Sequence, residues 1–479
     1  MTASTAHVAA APRRLSASIV MVGAIAYCVV LATLSAIVPL SVLPNIGASL
    51  HASGALLNWT VISSTAASAV ATGVFPPLAS IFGQRMMLSV AMGAVTVGAA
   101  LDAVAPSMTV LLIGRIISAF GLGAIALSLA IVRTNMNGRA LSLALGCIAG
   151  AEGVGAGLAF VFGGLITETV HVGWRAVFWS LAVLGLVATA WALTAVPRSA
   201  DRVVRRVDWV GGGLLGAALA LVLIPLSMGP HWGWTSAKVL GMLVLGVVAA
   251  IAWWMVEDRT DEPMVNTRAL RDRTFLLGAG VFLLTAMLVW IMDFTIPAMA
   301  TAPKSTGFGL GYDALLGGMV MVPMCVGIAA GGIVSGAIAR WVPARGLGLV
   351  SFIVAILCMA LLAVAHGAAW QLWVWPALFG VSYGMGVACA YMTFIGALRP
   401  EQVATAAAIG QTAGPVGAAV ASAGITAVLT AHVVKAGPIA VPTEHSFQTG
   451  WWIGAGIAVL GAVCALAIRG PRTEPAHRA

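Results

Sequence analysis

Three charged residues stand out because they lie deep inside long apolar stretches of the sequence, where charges are rare. They are Arg115, Glu152 and Asp293. If these stretches cross a bilayer, a charge near a helix centre costs at least about 2.5 kcal/mol, which makes each residue a candidate for function. Burial favours the protonated form of a carboxyl group and a nearby cation favours the ionised form. A carboxyl group that alternates between the two environments can therefore load and release a proton, and we interpret the three residues as candidates for proton coupling.

Glu152 has the depth that this role requires. It lies about a dozen residues into its apolar stretch, or roughly 17 Å at 1.5 Å per helical residue, close to the middle of a bilayer. The alternative is a protonated residue that is hydrogen-bonded and packed among glycines. Arg115 and Asp293 lie about seven residues, or roughly 10 Å, from the outer ends of their stretches. Their matched depth predicts a pair that closes the outer side of the molecule, whereas the alternative leaves each satisfied within its own half.

Several aromatic and polar residues are softer candidates for a binding cavity. Aromatic rings with a few polar groups suit amphipathic organic molecules, and ring faces also attract cations. Packing, or anchoring at the membrane surface, is the alternative interpretation for each of them. The candidates are Trp290, Tyr383, Tyr391, Gln411 and Thr412.

The composition identifies the medium of the chain. Its 479 residues are 61% hydrophobic and 8% charged, whereas soluble proteins are about 25% charged. A soluble protein is therefore excluded. The 56 glycines favour closely packed membrane helices, and a β-barrel would dilute the hydrophobicity with alternating polar residues.

The sequence contains no pattern that is typical of an enzyme or a cofactor site. The six cysteines all lie in apolar stretches without paired spacing, and the eight histidines are scattered. A phosphate-binding Gly-x-x-x-x-Gly-Lys motif is also missing. We therefore expect no enzymatic activity, no cofactor and no metal site.

Fourteen apolar stretches are long enough to cross a bilayer, which takes about 20 residues. Basic residues accumulate on the cytoplasmic side of membranes. With both termini on that side, only Arg175, Lys238, Lys304 and Lys435 lie outside. The net charge of +9 is thus a signal of topology, and we expect no binding of nucleic acid. The predicted spans cover residues 17–42, 56–79, 86–104, 108–132, 141–166, 176–196, 209–228, 239–256, 275–300, 315–338, 346–365, 372–398, 403–430 and 451–468.

Polar linkers after the sixth and eighth spans divide the chain as six, two and six helices. Similar basic turns follow the second helix of each outer group, which supports a duplication, and repeated halves place a cavity between them near the membrane midplane. The predicted units are a cytoplasmic tail at 1–16, a six-helix bundle at 17–196, linkers with two additional helices at 197–273, a second six-helix bundle at 274–468 and a cytoplasmic tail at 469–479.

Several motifs resemble the major facilitator superfamily and, within it, the fourteen-helix drug:proton antiporters. Asp208-Trp209-Val210-Gly211 resembles the opening of helix seven in that subfamily, and Glu262-Pro263-Met264-Val265 resembles its segment before helix nine. The resemblance implies a transporter that exports amphipathic organic molecules or drugs by alternating access, in exchange for protons. It also implies a multi-pass protein of a bacterial cytoplasmic membrane, which we expect to be a monomer.

The resemblance assigns conformational roles to two glycine motifs. One is the turn after helix two, where Gly83 and Arg85 fit the family pattern but Pro76 and Ser80 replace its first glycine and its aspartate. The other is the glycine ladder of helix five. Phe160 stands where the family ladder carries a proline. The conformational candidates of the ladder here are Gly146, Gly150, Gly153 and Gly157, and Gly163 and Gly164 complete it.

One departure from the subfamily concerns energy coupling. Its members usually carry an aspartate nine residues before the proline of a Leu-Pro pair in helix one, and counting back from Pro44 gives Ser35. The resemblance then implies that another group, with Glu152 the foremost candidate, carries the coupling proton, or that none does. An uncoupled facilitator or a transporter dedicated to one metabolite or lipid is therefore an alternative, and a non-transporting receptor or scaffold is a weaker one.

Overall fold

Long α-helices make up nearly all of the structure. This computed structural model describes residues 15–52, 54–166, 173–198, 209–260, 272–396, 403–436 and 439–468. The first half of the chain contains helices α1 (Leu15–Leu50), α2 (Gly54–Phe82), α3 (Gln84–Val104), α4 (Met108–Ala119), α5 (Gly123–Asn135), α6 (Gly138–Gly164) and α7 (Trp174–Ala195). The remainder contains α8 (Trp209–Trp232), α9 (Ala237–Arg259), α10 (Arg273–Thr301), α11 (Ala314–Met319), α12 (Val322–Ile338), α13 (Ala344–Val364), α14 (Gln371–Gly396), α15 (Val403–Ala431) and α16 (Glu444–Ala467).

The apolar sequence forms helices because a backbone in lipid must satisfy its own hydrogen bonds. Within the described residues, twelve helical segments are long and apolar enough to cross a membrane. One of them, Met108–Asn135, consists of α4 and α5 joined by a single 3-10 turn at Phe120–Leu122. The prediction of an all-helical polytopic membrane protein is thereby confirmed. Helices α2 and α8 coincide with the second and seventh predicted spans.

The helices pack as two groups with a peripheral pair. In the first group α3 packs against α7, and α1 packs against α6. In the second, α12 packs against α14, α13 against α16, and α10 against α15. Helices α8 and α9 pack on each other, and α8 also contacts α2 and α15. Most side chains of α9 are exposed on the surface of the bundle and are apolar, as expected for a helix that faces lipid.

A short β-hairpin that the sequence analysis did not predict connects α15 to α16. Its antiparallel strands are β1 (Val433–Ala436) and β2 (Ile439–Pro442). The backbone N–H of Thr443 donates to the carbonyl oxygen of His432 at 3.0 Å and closes the base of the hairpin. The predicted tails at 1–16 and 469–479 lie almost entirely outside the described residues, as do most residues of the two polar linkers.

The two groups meet along α6 and α12 at glycines. A Cβ atom added to Gly146 would lie 2.5 Å from the carbonyl oxygen of Gly332, and one added to Gly150 would lie 3.0 Å from that of Ala329. No larger residue fits at Gly146 without moving a backbone. Further along α6, two more glycines of the predicted ladder also face α12. They are Gly153, which faces Ile328, and Gly157, which faces Cys325.

The turn between α2 and α3 also depends on a glycine. Gly83 has φ 95°, a backbone conformation that glycine adopts without steric cost and that other residues rarely adopt. Arg85 lies in the first turn of α3 directly after it. The geometry accounts for the glycine of this predicted motif, and the conformational role of the turn stays a prediction.

Candidate functional site

A cavity of about 260 Å³ lies between the two groups of helices. Its wall takes residues from α1, α2, α4, α5 and α6 on one side and from α10, α14 and α15 on the other. Five residues that the sequence analysis selected line it. They are Arg115, Glu152, Trp290, Tyr383 and Gln411. Asp293, Tyr391 and Thr412 are not among the lining residues.

The carboxyl group of Glu152 is bound from the opposite half of the molecule. The hydroxyl of Tyr391, on α14, donates a hydrogen bond to Oε1 of Glu152, on α6. Tyr391 is fully buried, and its ring packs against those of Phe282 and Phe394, each with a centroid distance of 5.7 Å. This hydrogen bond makes Glu152 part of the contact between the halves.

A polar cluster surrounds this pair. Gln411 on α15 lies beside Tyr391 and interacts with its hydroxyl, and Gln411 is almost completely buried. Tyr383 interacts electrostatically with the carboxyl groups of both Glu152 and Asp293. Three of the softer candidates, Tyr391, Tyr383 and Gln411, thus lie around Glu152, and Asp293 interacts with Tyr383 without lining the cavity.

Arg115 is paired within its own half, contrary to the predicted bridge to Asp293. Its Nη1 lies 3.6 Å from Oδ2 of Asp102, on the neighbouring helix α3, and both side chains are buried. Its Nη2 donates to the carbonyl oxygen of Ser35 at 3.0 Å. A buried guanidinium requires a carboxylate partner, and Asp102 supplies one from the adjacent helix. The predicted pairing of Arg115 with Asp293 is therefore wrong for this structure. Arg115 instead has its partner in its own half, which was the alternative interpretation.

Asp102 is a functional candidate that the sequence analysis missed. It lies near the end of the third predicted span, where a charge is ordinary, and so its depth gave no signal. The small residues around Asp102 did offer a signal, because Gly98 and Gly114 bring α3 and α4 into close contact. The side chain of Asp102 directly faces Gly114. Close helix packing of this kind can bury a charge near the end of a span.

A row of hydroxyl residues on α2 also lines the cavity and was not predicted from the sequence. The lining residues of this helix are Thr60, Ser64, Thr65, Ser68 and Thr72. The sequence contains a pattern that could have predicted this row, because Thr60, Ser64, Ser68 and Thr72 are polar residues at every fourth position of an apolar helix. This spacing places them on one face of the helix.

Across the cavity, Trp290 packs against Phe294 with a distance of 5.9 Å between ring centroids. No group of three or more His, Cys, Asp or Glu side chains in the described ranges is placed to hold a metal ion.

Comparison with known proteins connects this fold and cavity to one family. The chain is 28% identical to the MFS-type transporter EfpA of Mycobacterium tuberculosis over 65% of this chain and 58% of that protein. It is 28% identical to the tetracenomycin C resistance and export protein of Streptomyces glaucescens over 51% of this chain and 45% of that protein. It is 22% identical to multidrug resistance protein 3 of Bacillus subtilis over 68% and 63% of the respective lengths. The matched segments thus span less than two thirds of these relatives.

Solved structures show the same fold at low sequence identity. The human organic anion transporter MFSD10 superposes with a TM-score of 0.64 at 13% identity, covering 94% of this chain and 99% of that protein. The proton:xylose symporter XylE gives 0.61 at 14% identity, covering 94% and 95%. The family model of the Major Facilitator Superfamily matches residues 23–208 and 209–422. The chain therefore belongs to the Major Facilitator Superfamily.

Proposed function

We propose that this protein exports amphipathic organic molecules by alternating access and couples their export to inward movement of protons through Glu152. The observation that carries the proposal is the cavity between the halves, in which a carboxyl group from one half is hydrogen-bonded to a tyrosine of the other. Relatives that are named for multidrug resistance or for resistance and export support the direction and the class of substrate.

The hydrogen bond between Tyr391 and Glu152 supplies a physical link between proton binding and conformation. A hydroxyl that donates to an ionised carboxylate forms a charge-assisted bond, about twice as strong as a neutral one. Protonation of Glu152 removes the charge and weakens this contact between α6 and α14. A ligand or proton that binds the two conformations with different affinity shifts their populations by that difference. The proton on Glu152 thereby favours separation of the halves at this contact.

Arg115 adds a fixed positive charge to the wall of the same cavity. Asp102 compensates this charge from behind, and the Ser35 carbonyl oxygen orients the guanidinium. In this arrangement Ser35 contributes only its backbone, although it occupies the position at which the resembling subfamily carries an aspartate. We propose that Glu152 serves in place of that aspartate, and that Arg115 and Asp293 are the other charged residues that take part in proton coupling.

The proposal includes fourteen membrane spans with both termini in the cytoplasm of a bacterium. Helices α2 and α8 have 29 and 24 residues, and either length exceeds the roughly 20 residues that cross a bilayer. Together with the twelve spans described above they complete the order of six, two and six, with α8 and α9 as a peripheral pair. We expect a monomer, because the cavity is formed within one chain.

An uncoupled facilitator, or a transporter of one metabolite or lipid, is the second candidate. The observation that favours it is Ser35, which leaves helix α1 without the acid of the resembling subfamily. Uptake of a panel of amphipathic dyes and drugs into inverted proteoliposomes, with and without an imposed pH gradient, distinguishes the two. Accumulation above equilibrium that collapses with the gradient supports proton coupling. Equilibration that ignores the gradient supports a facilitator, and no movement of any compound favours a receptor or scaffold.

A further inference from the structure

The face of α2 that lines the cavity carries a row of hydroxyl groups that the proton-coupling mechanism does not use. Thr60, Ser64, Ser68 and Thr72 recur at intervals of four residues and all line the cavity. Residues at this spacing lie along one side of a helix. The part of the row from Thr60 to Ser68 extends roughly 12 Å at 1.5 Å per residue, which is comparable to the length of a fused three-ring aromatic system.

Three members of this row, Thr60, Ser64 and Ser68, donate their hydroxyl hydrogens to α2 itself. Thr60 donates to the carbonyl oxygen of Leu57 at 2.6 Å, and Ser64 donates to that of Thr60 at 2.8 Å. Ser68 donates to the carbonyl oxygen of Thr65 at 2.8 Å. A hydroxyl has one hydrogen and two acceptor lone pairs. While these bonds persist, each oxygen can act toward a ligand only as an acceptor.

The part of the other wall that α10 contributes is apolar and aromatic. It consists of Phe282, Ala286, Val289 and Trp290. A flat ring system can pack against this wall because aromatic rings favour offset or edge contacts with one another. A ligand that packs there turns one of its edges toward α2, and N–H or O–H groups on that edge would meet the hydroxyl oxygens.

We propose that the hydroxyl row of α2 selects its ligands by their hydrogen-bond donors: the preferred substrates are aromatic molecules that carry N–H or O–H groups along one edge. This inference rests on the proposed function and specifies its substrate class. It assigns the row a role in specificity, separate from the proton-coupling role of Glu152.

Proflavine and acridine orange form a matched pair of probes. Both are cationic aminoacridines with the same three-ring system, and their exocyclic nitrogens carry hydrogens in proflavine and methyl groups in acridine orange. Binding of each dye is measured by fluorescence titration of the full-length protein in lipid nanodiscs. We expect the wild type to bind proflavine about tenfold more tightly, the effect of one or two hydrogen bonds of typical net strength.

The test variant is Ser64→Ala combined with Ser68→Ala, and the control is Ser63→Ala, on the same helix but outside the cavity wall. The double variant should bind both dyes with similar affinity. Its affinity for acridine orange should equal that of the wild type, and this equality would show that the cavity is intact. Ser63→Ala should keep the tenfold preference. If the double variant binds neither dye, the pair Ser64→Thr with Ser68→Thr restores the hydroxyls and should restore the preference for proflavine.

Equal affinity of the wild type for the two dyes would overturn the inference, and so would a preference that survives in the double variant or is not restored by threonine. Either result leaves the proposed function intact, because the cavity still binds amphipathic molecules. Failure of the wild type to bind either dye also overturns the inference, because proflavine belongs to the class that it names. The proposed function is then judged separately, by gradient-driven accumulation of the wider panel.

Discussion

The hydroxyl of Tyr391 donates a hydrogen bond to the carboxyl group of Glu152 and thereby joins α14 of the second half to α6 of the first. Tyr391 is completely buried, whereas Glu152 also faces the cavity between the halves. One carboxyl group is therefore exposed to the space where a substrate would bind and is held by the half that must move. In the proposed mechanism, this geometry links proton, substrate and conformation at a single residue.

Replacement of Tyr391 by phenylalanine should weaken proton-driven accumulation. The change removes one hydroxyl from the contact between the halves, and hydrogen bonds to charged groups contribute about 1.5–3 kcal/mol. We expect accumulation to fall at least about tenfold, with dye binding in nanodiscs retained. The matched control is Tyr27→Phe, which removes a hydroxyl that donates to the Leu184 carbonyl oxygen at 3.3 Å within the first half and should leave accumulation close to that of the wild type.

Glu152 and Tyr391 should be energetically coupled. In a double-mutant cycle, Tyr391→Phe should have little further effect on accumulation and on the distance between the halves once Glu152 is glutamine, because residues that share a hydrogen bond deviate from additivity. Spin labels on α6 and α14 can report that distance. If the two single effects simply add, the hydrogen bond has no part in coupling.

Asp102 should stabilise the protein through Arg115. Asp102→Asn leaves the buried guanidinium without a carboxylate, and loss of one partner of a buried pair costs about 3–5 kcal/mol. We expect a clearly lower melting temperature in nanodiscs and partial recovery when Arg115→Gln is added. Asp293→Asn is the matched control and should leave the stability of the Arg115 region unchanged. A destabilisation by Asp293→Asn that Arg115→Gln relieves would restore the pairing that the sequence suggested and contradict the pair observed here.

The glycine contact between α6 and α12 should be sensitive to a single methyl group. In Gly146→Ala the new Cβ would lie 2.5 Å from the carbonyl oxygen of Gly332, so the helices must separate. We expect a lower melting temperature and a smaller population of the conformation in which these helices are in contact, measured by spin-label distances. Gly93→Ala is the control, because its Cβ would meet no atom within 4 Å, and it should behave as the wild type. An identical response of the two variants would exclude this contact as part of the conformational change.

The architecture followed from the sequence much more readily than the pairing within the site. Apolar length alone predicts membrane helices, and the single carboxyl group in the middle of α6 stands out because burial of charge is costly. Arg115 illustrates the limit. Its depth matched that of Asp293, but depth along a helix says nothing about which neighbour the side chain faces, and the packing of α3 on α4 decided in favour of Asp102. Tyr391 was selected only as one of several aromatic residues, because a contact between residues 239 positions apart leaves no local pattern.

The topology can be tested independently of the site. Reporter fusions at positions 200 and 265 lie in the two polar linkers, on either side of the pair formed by α8 and α9. With fourteen spans and a cytoplasmic N-terminus, both fusions should report the cytoplasm. An external signal at either position would overturn the count of fourteen spans.

The most direct test of the central claim is the transport behaviour of Glu152→Gln in proteoliposomes, compared with the wild type at equal expression and equal dye binding. Glutamine preserves the shape of the side chain but can neither carry the negative charge nor bind and release a proton. The account predicts that the variant still exchanges substrate down its own gradient but no longer accumulates it in response to a pH gradient. Full gradient-driven accumulation by Glu152→Gln would contradict the account, because it would mean that the coupling proton binds elsewhere or that Glu152 only packs against its neighbours.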